Sequence, residues 1–163
     1  MNITLIGKEG TGKTTIGRNL AERLKRKFIS ISNEVNSRLK MAPEKYIKKH
    51  GVDKFLEAES EAIEHICAFE DYVFDANETI IMRNENINNL KTNGLVILLT
   101  ADEKTIKKRM KKTKKESKKL LKLDQSIMDA RLKTAADYAI NTSSMSPEEV
   151  CDIINYYLES ELM

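Results

Sequence analysis

At 163 residues, 40% hydrophobic and 33% charged, the chain has the apolar content for one independent core and too much of it for a disordered segment. Two cysteines, Cys67 and Cys151, stand far apart in no C-x-x-C spacing, which argues against a disulfide framework or zinc site and for a reducing, cytoplasmic home. No apolar run nears the ~20 residues that a membrane span needs, and Met1 leads straight into a strand pattern, so neither a membrane partner nor a signal peptide is expected.

Residues 2–6 (Asn-Ile-Thr-Leu-Ile) predict a short buried strand. Gly7-Lys8-Glu9-Gly10-Thr11-Gly12-Lys13-Thr14 follows and satisfies G-x-x-x-x-G-K-[ST] at every fixed position. A helical pattern over residues 13–26 comes next, with Ile16, Leu20 and Leu24 four apart. Polyphosphate needs many N–H donors wrapped closely around it, and side chains would hold the backbone away. Gly7, Gly10 and Gly12 permit that approach, and the helix N-terminus aims its free N–H groups and dipole at the anion. Lys13 then reaches the β- and γ-phosphates, the Thr14 hydroxyl ligates Mg²⁺, and Thr15 touches the α-phosphate. Glu9 and Thr11 complete the nucleotide-binding set. ATP and Mg²⁺ are the expected cofactors.

Further along, residues 28–31 predict a second strand, and residues 32–40 and Pro43–His50 predict short helices. Gly51 interrupts, and Asp53 is placed to cap a long helix running to about residue 69. Its apolar face collects Phe55, Ala62, Ile63 and Ile66, and Glu59 falls on that face, where a carboxylate needs a partner or a task. Residues 72–75 form a short apolar strand ending in Asp75, an acid suited to holding Mg²⁺ beside the glycine loop. Residues 82–91 predict a helix and residues 95–100 a strand apolar throughout, hence buried on both faces. Asp102 opens another helix, residues 123–136 a further one, and residues 137–141 a fifth strand. Ser146-Pro147-Glu148-Glu149 carries a capping-box start for a last helix with the stripe Val150, Ile153, Ile154, Tyr157 and Leu158. His50 and His65 are isolated and read as ordinary packing or surface residues.

The net charge of +3 is unevenly held. Residues 104–122 carry ten lysines, Arg109 and one acid, Glu116, for +10 against −7 elsewhere. Such a segment attracts nucleic acid electrostatically, yet it has no aromatic residue for base stacking, so no nucleic-acid partner is expected. A lid closing over phosphates is the preferred reading.

Alternating strands and helices imply a parallel sheet covered on both faces, with ligands beyond the C-terminal strand ends. The glycine loop, Ser30 and Asp75 all fall there. With residues 3–7 and 12–21, the Phe55…Glu59 helix, the Leu98-Leu99-Thr100 strand and Ala136-Asp137-Tyr138-Ala139-Ile140, the chain resembles the shikimate kinase family over nearly its full length. The resemblance implies a three-layer α/β/α P-loop NTPase fold whose five-stranded parallel sheet runs 2-3-1-4-5. It also implies one kinase domain over residues 1–163, a helical substrate-binding subdomain over about 32–70 and a lid over about 112–122. The implied reaction moves the γ-phosphate of ATP to a hydroxyl of a small metabolite, and size alone makes a monomer the default. By position, Arg109 matches the family's adenine-packing arginine, and Lys118 falls where the lid carries a phosphate-reaching arginine. The catalytic set is thus Lys13, Asp75 and Lys118, with Thr14 and Asp75 for the metal.

Departures gather on the substrate side. The family's D-x-D is Ser30-Ile31-Ser32 here, its carboxylate-binding arginine after Phe55 is Leu56, and its G-G-G turn is Asn77-Glu78-Thr79. A second carboxylate-binding arginine falls near Met128, with Arg131 three residues on as a substitute. Ser32, Glu59 and Arg131 are therefore the expected substrate contacts, and an acceptor other than shikimate is favoured over shikimate itself. The alternatives are a nucleoside or nucleoside-monophosphate kinase, for which only Arg38 and Arg83 are at hand to bind an acceptor phosphate, and a non-catalytic ATP-binding regulator.

Overall fold

Residues 1–110, 121 and 123–163 are described by the computed structural model of the protein. The apolar run that opens the chain becomes the central strand, β1 (Asn2–Gly7), buried along its whole length. Beyond the glycine loop and α1 (Lys13–Leu24) come β2 (Lys27–Ser30), α2 (Ile31–Leu39), α3 (Pro43–His50) and α4 (Val52–Ile66). Next are β3 (Tyr72–Asn77), a 3₁₀ turn (Glu78–Met82), α5 (Asn84–Thr92), β4 (Gly94–Thr100) and α6 (Glu103–Arg109). The described C-terminal part holds α7 (Gln125–Ala135), β5 (Tyr138–Asn141) and α8 (Pro147–Leu162). All strands pair in parallel, in the order β2-β3-β1-β4-β5. This is the expected P-loop architecture.

Strand alternation divides the core into two layers. On one face Ile3, Leu5, Val73, Ile97 and Leu99 pack with Ile16 and Leu20 of α1 and Val150 and Ile154 of α8. On the other, Ile6, Phe74, Val96 and Leu98 meet Val35, Ile47, Ile63 and Leu132 from α2, α3, α4 and α7. At about 25 cal/mol per Å² of apolar area, burying each of these side chains contributes roughly 1.5–3 kcal/mol, which the sheet collects on both faces. The candidate site lies at the C-terminal strand ends.

Several local expectations need correction. Ile31 is buried and begins α2 instead of closing β2. Asp53 is not the cap of α4. Gly51, at φ 91°, turns the chain so that the helix starts at Val52, and Asp53 sits in the first turn where its charge still meets the N-terminal dipole. That helix stops at Ile66, well short of residue 69. Asp75 lies within β3, not at its end, because pairing with β1 continues through Gly7 and Asn77. The helix expected over 82–91 is instead α5, preceded by the 3₁₀ turn whose Ile80 carbonyl accepts from Asn86 Nδ2 at 2.9 Å. The capping expectation at Ser146 matches the structure, its Oγ accepting from the Glu149 amide at 3.2 Å. Cys67 and Cys151 are both free thiols, and burial pushes Cys67 up to about 11, so it is a poor nucleophile. Among the described residues, no helix is long and apolar enough to cross a membrane.

Candidate active site

The loop between β1 and α1 is a cradle of backbone. Gly7 adopts φ 149°, and a Cβ built there would lie 2.4 Å from the Leu99 carbonyl oxygen on β4. Gly12, at φ 97°, is the residue from which α1 starts, and no side chain caps that helix. No acid occupies its first turn either. The positive end of the helix dipole thus faces the loop without an acid in its first turn to offset it. Lys13 is buried, and its Nζ lies 2.8 Å from the Gly7 carbonyl and 2.9 Å from that of Lys8. The ammonium is thus held at the rim of the loop by groups that fix its direction.

Thr14 follows Lys13, and its Oγ1 donates to Asp75 Oδ2 at 2.7 Å. Asp75 is only 3% exposed, in register with Leu5 of β1 and Ser30 of β2. A hydroxyl and a carboxylate side by side at a phosphate loop are a hard-oxygen set of the type that suits Mg²⁺, which keeps waters and phosphate oxygens for its other positions. No group of three or more His, Cys, Asp or Glu able to hold a metal occurs among the described residues. The residues present fit Mg²⁺ shared with a nucleotide.

A second residue, absent from the sequence reading, ties this wall together. Thr142, beyond β5, is 1% exposed, and its Oγ1 lies 2.9 Å from the Thr11 carbonyl and 3.1 Å from that of Thr100. Arg109 reaches the same point: Nη2 donates to the Thr142 carbonyl at 3.0 Å and Nη1 to the Gly10 carbonyl at 3.1 Å. The guanidinium thereby joins the end of α6 to the loop, while lining the cleft. On the far side of the loop Lys8 bridges Asp129 of α7 at 3.2 Å, another contact unforeseen from the sequence.

These groups form one side of a cleft of about 1080 Å³ at the C-terminal edge of the sheet. Glu9, Gly10, Thr11, Gly12, Thr14 and Thr15 line this side together with Lys13. The opposite side is built by α2, α4 and the end of β3. Ser32 accepts from Asn77 Nδ2 at 2.7 Å, and both line the cleft. Glu59 is 4% exposed, and its Oε2 accepts from Thr79 Oγ1 at 2.6 Å. Its other oxygen, Oε1, is buried and has no hydrogen-bond partner among the described residues.

One expected substrate contact does not join the cleft. Arg131 is exposed on α7 and lines no part of it. Met128, Leu132 and Ala135 form the buried stripe of that helix, and Arg131 stands off its solvent edge. Neither Arg38, exposed on α2, nor Arg83, bonded to the Asp53 carbonyl and Glu85, lines the cleft. Lys118 lies outside the described residues, as does most of the expected lid.

Burial pushes the Glu59 carboxyl up from 4.5 to about 7, against the Thr79 hydrogen bond and the attraction of Arg83, both of which favour its ionised form. Between pH 4.5 and 7 the folded chain therefore holds a proton at Glu59 that the unfolded chain releases, and stability falls as pH rises through that window. At about 1.4 kcal/mol per tenfold change in proton activity, the fall amounts to at most about 3 kcal/mol. In Glu59→Gln, which keeps an acceptor for Thr79, this decline should vanish. Urea unfolding from pH 5 to 8 checks it: the wild-type curve should drop below the variant's, and parallel curves would contradict the assignment.

The shikimate kinase family model matches residues 9–159. The chain belongs to the shikimate kinase family. It is 34% identical to the shikimate kinase of Caldicellulosiruptor saccharolyticus, with 98% of this chain and 97% of the relative covered. Identity to the Pelotomaculum thermopropionicum shikimate kinase is 31%, covering 97% and 95%. Among solved structures, the Acinetobacter baumannii shikimate kinase in complex with shikimate superposes with a TM-score of 0.84 at 25% identity, covering 98% of this chain and 93% of that one. These shikimate kinase relatives mark the chain as a small-molecule kinase by family.

Proposed function

We propose that the protein transfers the γ-phosphate of ATP to a hydroxyl of a small metabolite other than shikimate. The observation that carries this reading is a single cleft with two chemically distinct walls: a bare backbone loop with Lys13 and the Thr14–Asp75 pair on one side, and hydroxyl, amide and carboxyl groups on the other. The loop amides and the α1 terminus bind the phosphates, and Lys13 offsets the charge that gathers on the γ-phosphoryl oxygens. Magnesium held through Thr14 and Asp75 supplies further charge neutralisation when bound. The acceptor oxygen forms its bond to the γ-phosphorus as the bond to ADP breaks, and its proton leaves to a neighbouring carboxylate or water, with Asp75 and Glu59 the candidates.

Catalysis of this kind rests on positioning, so the wall that carries Ser32, Glu59 and Asn77 selects the acceptor. The departures at Leu56 and Met128 bear on which one. Both are buried apolar side chains, 7% and 4% exposed, so neither supplies the charge-assisted pairing that a carboxylate ligand requires. The reading is tested by an acceptor screen with ATP and Mg²⁺, following ADP release, with shikimate as the first compound. Acceptor-dependent turnover on a hydroxylated compound other than shikimate is expected; ADP release indifferent to every acceptor would count against a kinase. Asp75→Asn, which keeps the oxygen facing Thr14 and removes the charge, should raise the Mg²⁺ concentration for half-maximal turnover by about tenfold. A magnesium titration of the variant reads this directly, and an unchanged midpoint would remove Asp75 from the metal site.

A further inference from the structure

We propose that Thr142 is a positioning residue for ATP: its hydroxyl pins the Thr11 carbonyl and so keeps the Gly12 amide aimed into the phosphate cradle. This rests on the nucleotide half of the reading above, and it gives a task to a residue far outside the phosphate loop.

The Thr11–Gly12 peptide needs such a pin. It is trans, so its C=O and N–H point in opposite directions, and whatever holds the Thr11 carbonyl decides where the Gly12 N–H points. Gly12 stands at φ 97°, and glycine adopts negative φ about as readily. The peptide ahead of it can therefore turn over at small cost. Turned over, it would offer the phosphates a carbonyl oxygen where the cradle requires a donor. The residue type that lets backbone approach an anion leaves the direction of its own amide unfixed.

Thr142 supplies the missing constraint. Its hydroxyl has one proton to give and lone pairs to receive. The Thr100 carbonyl already accepts from the Thr142 amide at 2.8 Å, and Arg109 Nη1 donates to the hydroxyl oxygen at 3.2 Å. The Thr11 carbonyl, at 2.9 Å against 3.1 Å for that of Thr100, takes the hydroxyl proton. Thr11 and Thr142 are each 1% exposed, so solvent does not compete for the bond and the low local dielectric strengthens it. The amide bond to Thr100 ties Thr142 to the end of β4, and the hydroxyl is delivered from the sheet. Neighbouring carbonyls of the loop are held in the same manner. Arg109 Nη1 donates to that of Gly10 at 3.1 Å, and Thr11 Oγ1 to that of Lys8 at 2.8 Å.

Two variants of the full chain test this. Thr142→Val keeps the shape of the side chain and removes the hydroxyl; Thr142→Ser keeps the hydroxyl. Calorimetry with ATP and with ADP, each with Mg²⁺, should show affinity reduced about tenfold in Thr142→Val and less than about twofold in Thr142→Ser. The Gly12 amide gives a readout that a purely structural role would not move. In proton–nitrogen correlation spectra its proton should shift downfield when wild type or Thr142→Ser is saturated with ADP and Mg²⁺, and by less than about half as much in Thr142→Val. The inference is overturned if Thr142→Val binds nucleotide within about threefold of wild type, if Thr142→Ser loses as much as Thr142→Val, or if the Gly12 shift is equal in all three. Should Thr142→Val not fold, as judged by thermal melting, Thr142→Ala carries the same comparison; failure of both to fold would make Thr142 a determinant of the fold and overturn the inference as well. Reduced affinity in Thr142→Val without phosphoryl transfer to any acceptor by wild type would uphold the pin and count against the kinase reading. Turnover by wild type with unchanged affinity in Thr142→Val would do the reverse.

Discussion

Replacing Lys13 by alanine should lower kcat for phosphoryl transfer by on the order of 10³-fold, since removing one preorganised donor to a developing oxyanion costs about 10²–10³ and Lys13 also carries full charge. Among the described residues, no other cationic side chain lining the cleft is placed to substitute. Lys13 is buried, with its Nζ fixed by the Gly7 and Lys8 carbonyls, and Arg109 is engaged with Gly10 and Thr142. Arginine at position 13 should not rescue activity, because its planar fork cannot occupy the space of a compact ammonium at the loop rim. Stopped-time assays on the best acceptor, at saturating ATP, give kcat free of any loss of affinity. A fall of less than about tenfold would mean that the charge is supplied elsewhere, and Lys13 would then be a structural clasp of the loop.

Gly7→Ala should cost about 4 kcal/mol of stability or prevent folding. Two penalties coincide there. A side chain at φ 149° is strained by roughly 1–3 kcal/mol, and a Cβ only 2.4 Å from the Leu99 carbonyl forces β4 away from the loop at a cost of about 1–3 kcal/mol more. The obstacle is backbone in the middle of the sheet, so it cannot swing aside as a flexible side chain would. Urea denaturation measures the effect as a lowered midpoint at unchanged slope. A midpoint within about 1 kcal/mol of wild type would show that the loop has room the geometry denies.

Legibility in the sequence followed the range of the interactions. The phosphate loop was readable because consecutive residues write it, and β4 was readable because five central residues buried on both faces leave one apolar run. Glu59 was flagged by helical period alone, since Phe55, Ala62 and Ile63 fix the buried face of α4. Thr142 was invisible. Its partners Thr11, Thr100 and Arg109 lie 131, 42 and 33 residues away, and nothing in the local pattern announces them. Lys8 and Asp129 are likewise joined only by folding. Arg131 failed for a different reason: its proximity to Met128 in sequence does not survive the helical phase, which turns Met128 to the core and Arg131 to solvent. Position 53 failed because a glycine two residues earlier determines where α4 begins.

The two walls of the cleft are built differently. The nucleotide side is made of backbone and therefore tolerates little change, whereas the opposite side is made of side chains projecting from α2, α4 and the end of β3. Leu56 and Met128 are both buried, and the carboxyl of Glu59 is left with an oxygen unmatched by the described chain.

Titration of the wild-type chain with ATP and Mg²⁺ in a calorimeter tests the phosphate cradle most directly. One nucleotide should bind per chain, with affinity lost when magnesium is withdrawn and weakened in Lys13→Ala. Absence of any binding heat across temperatures, with the protein folded, would contradict the account.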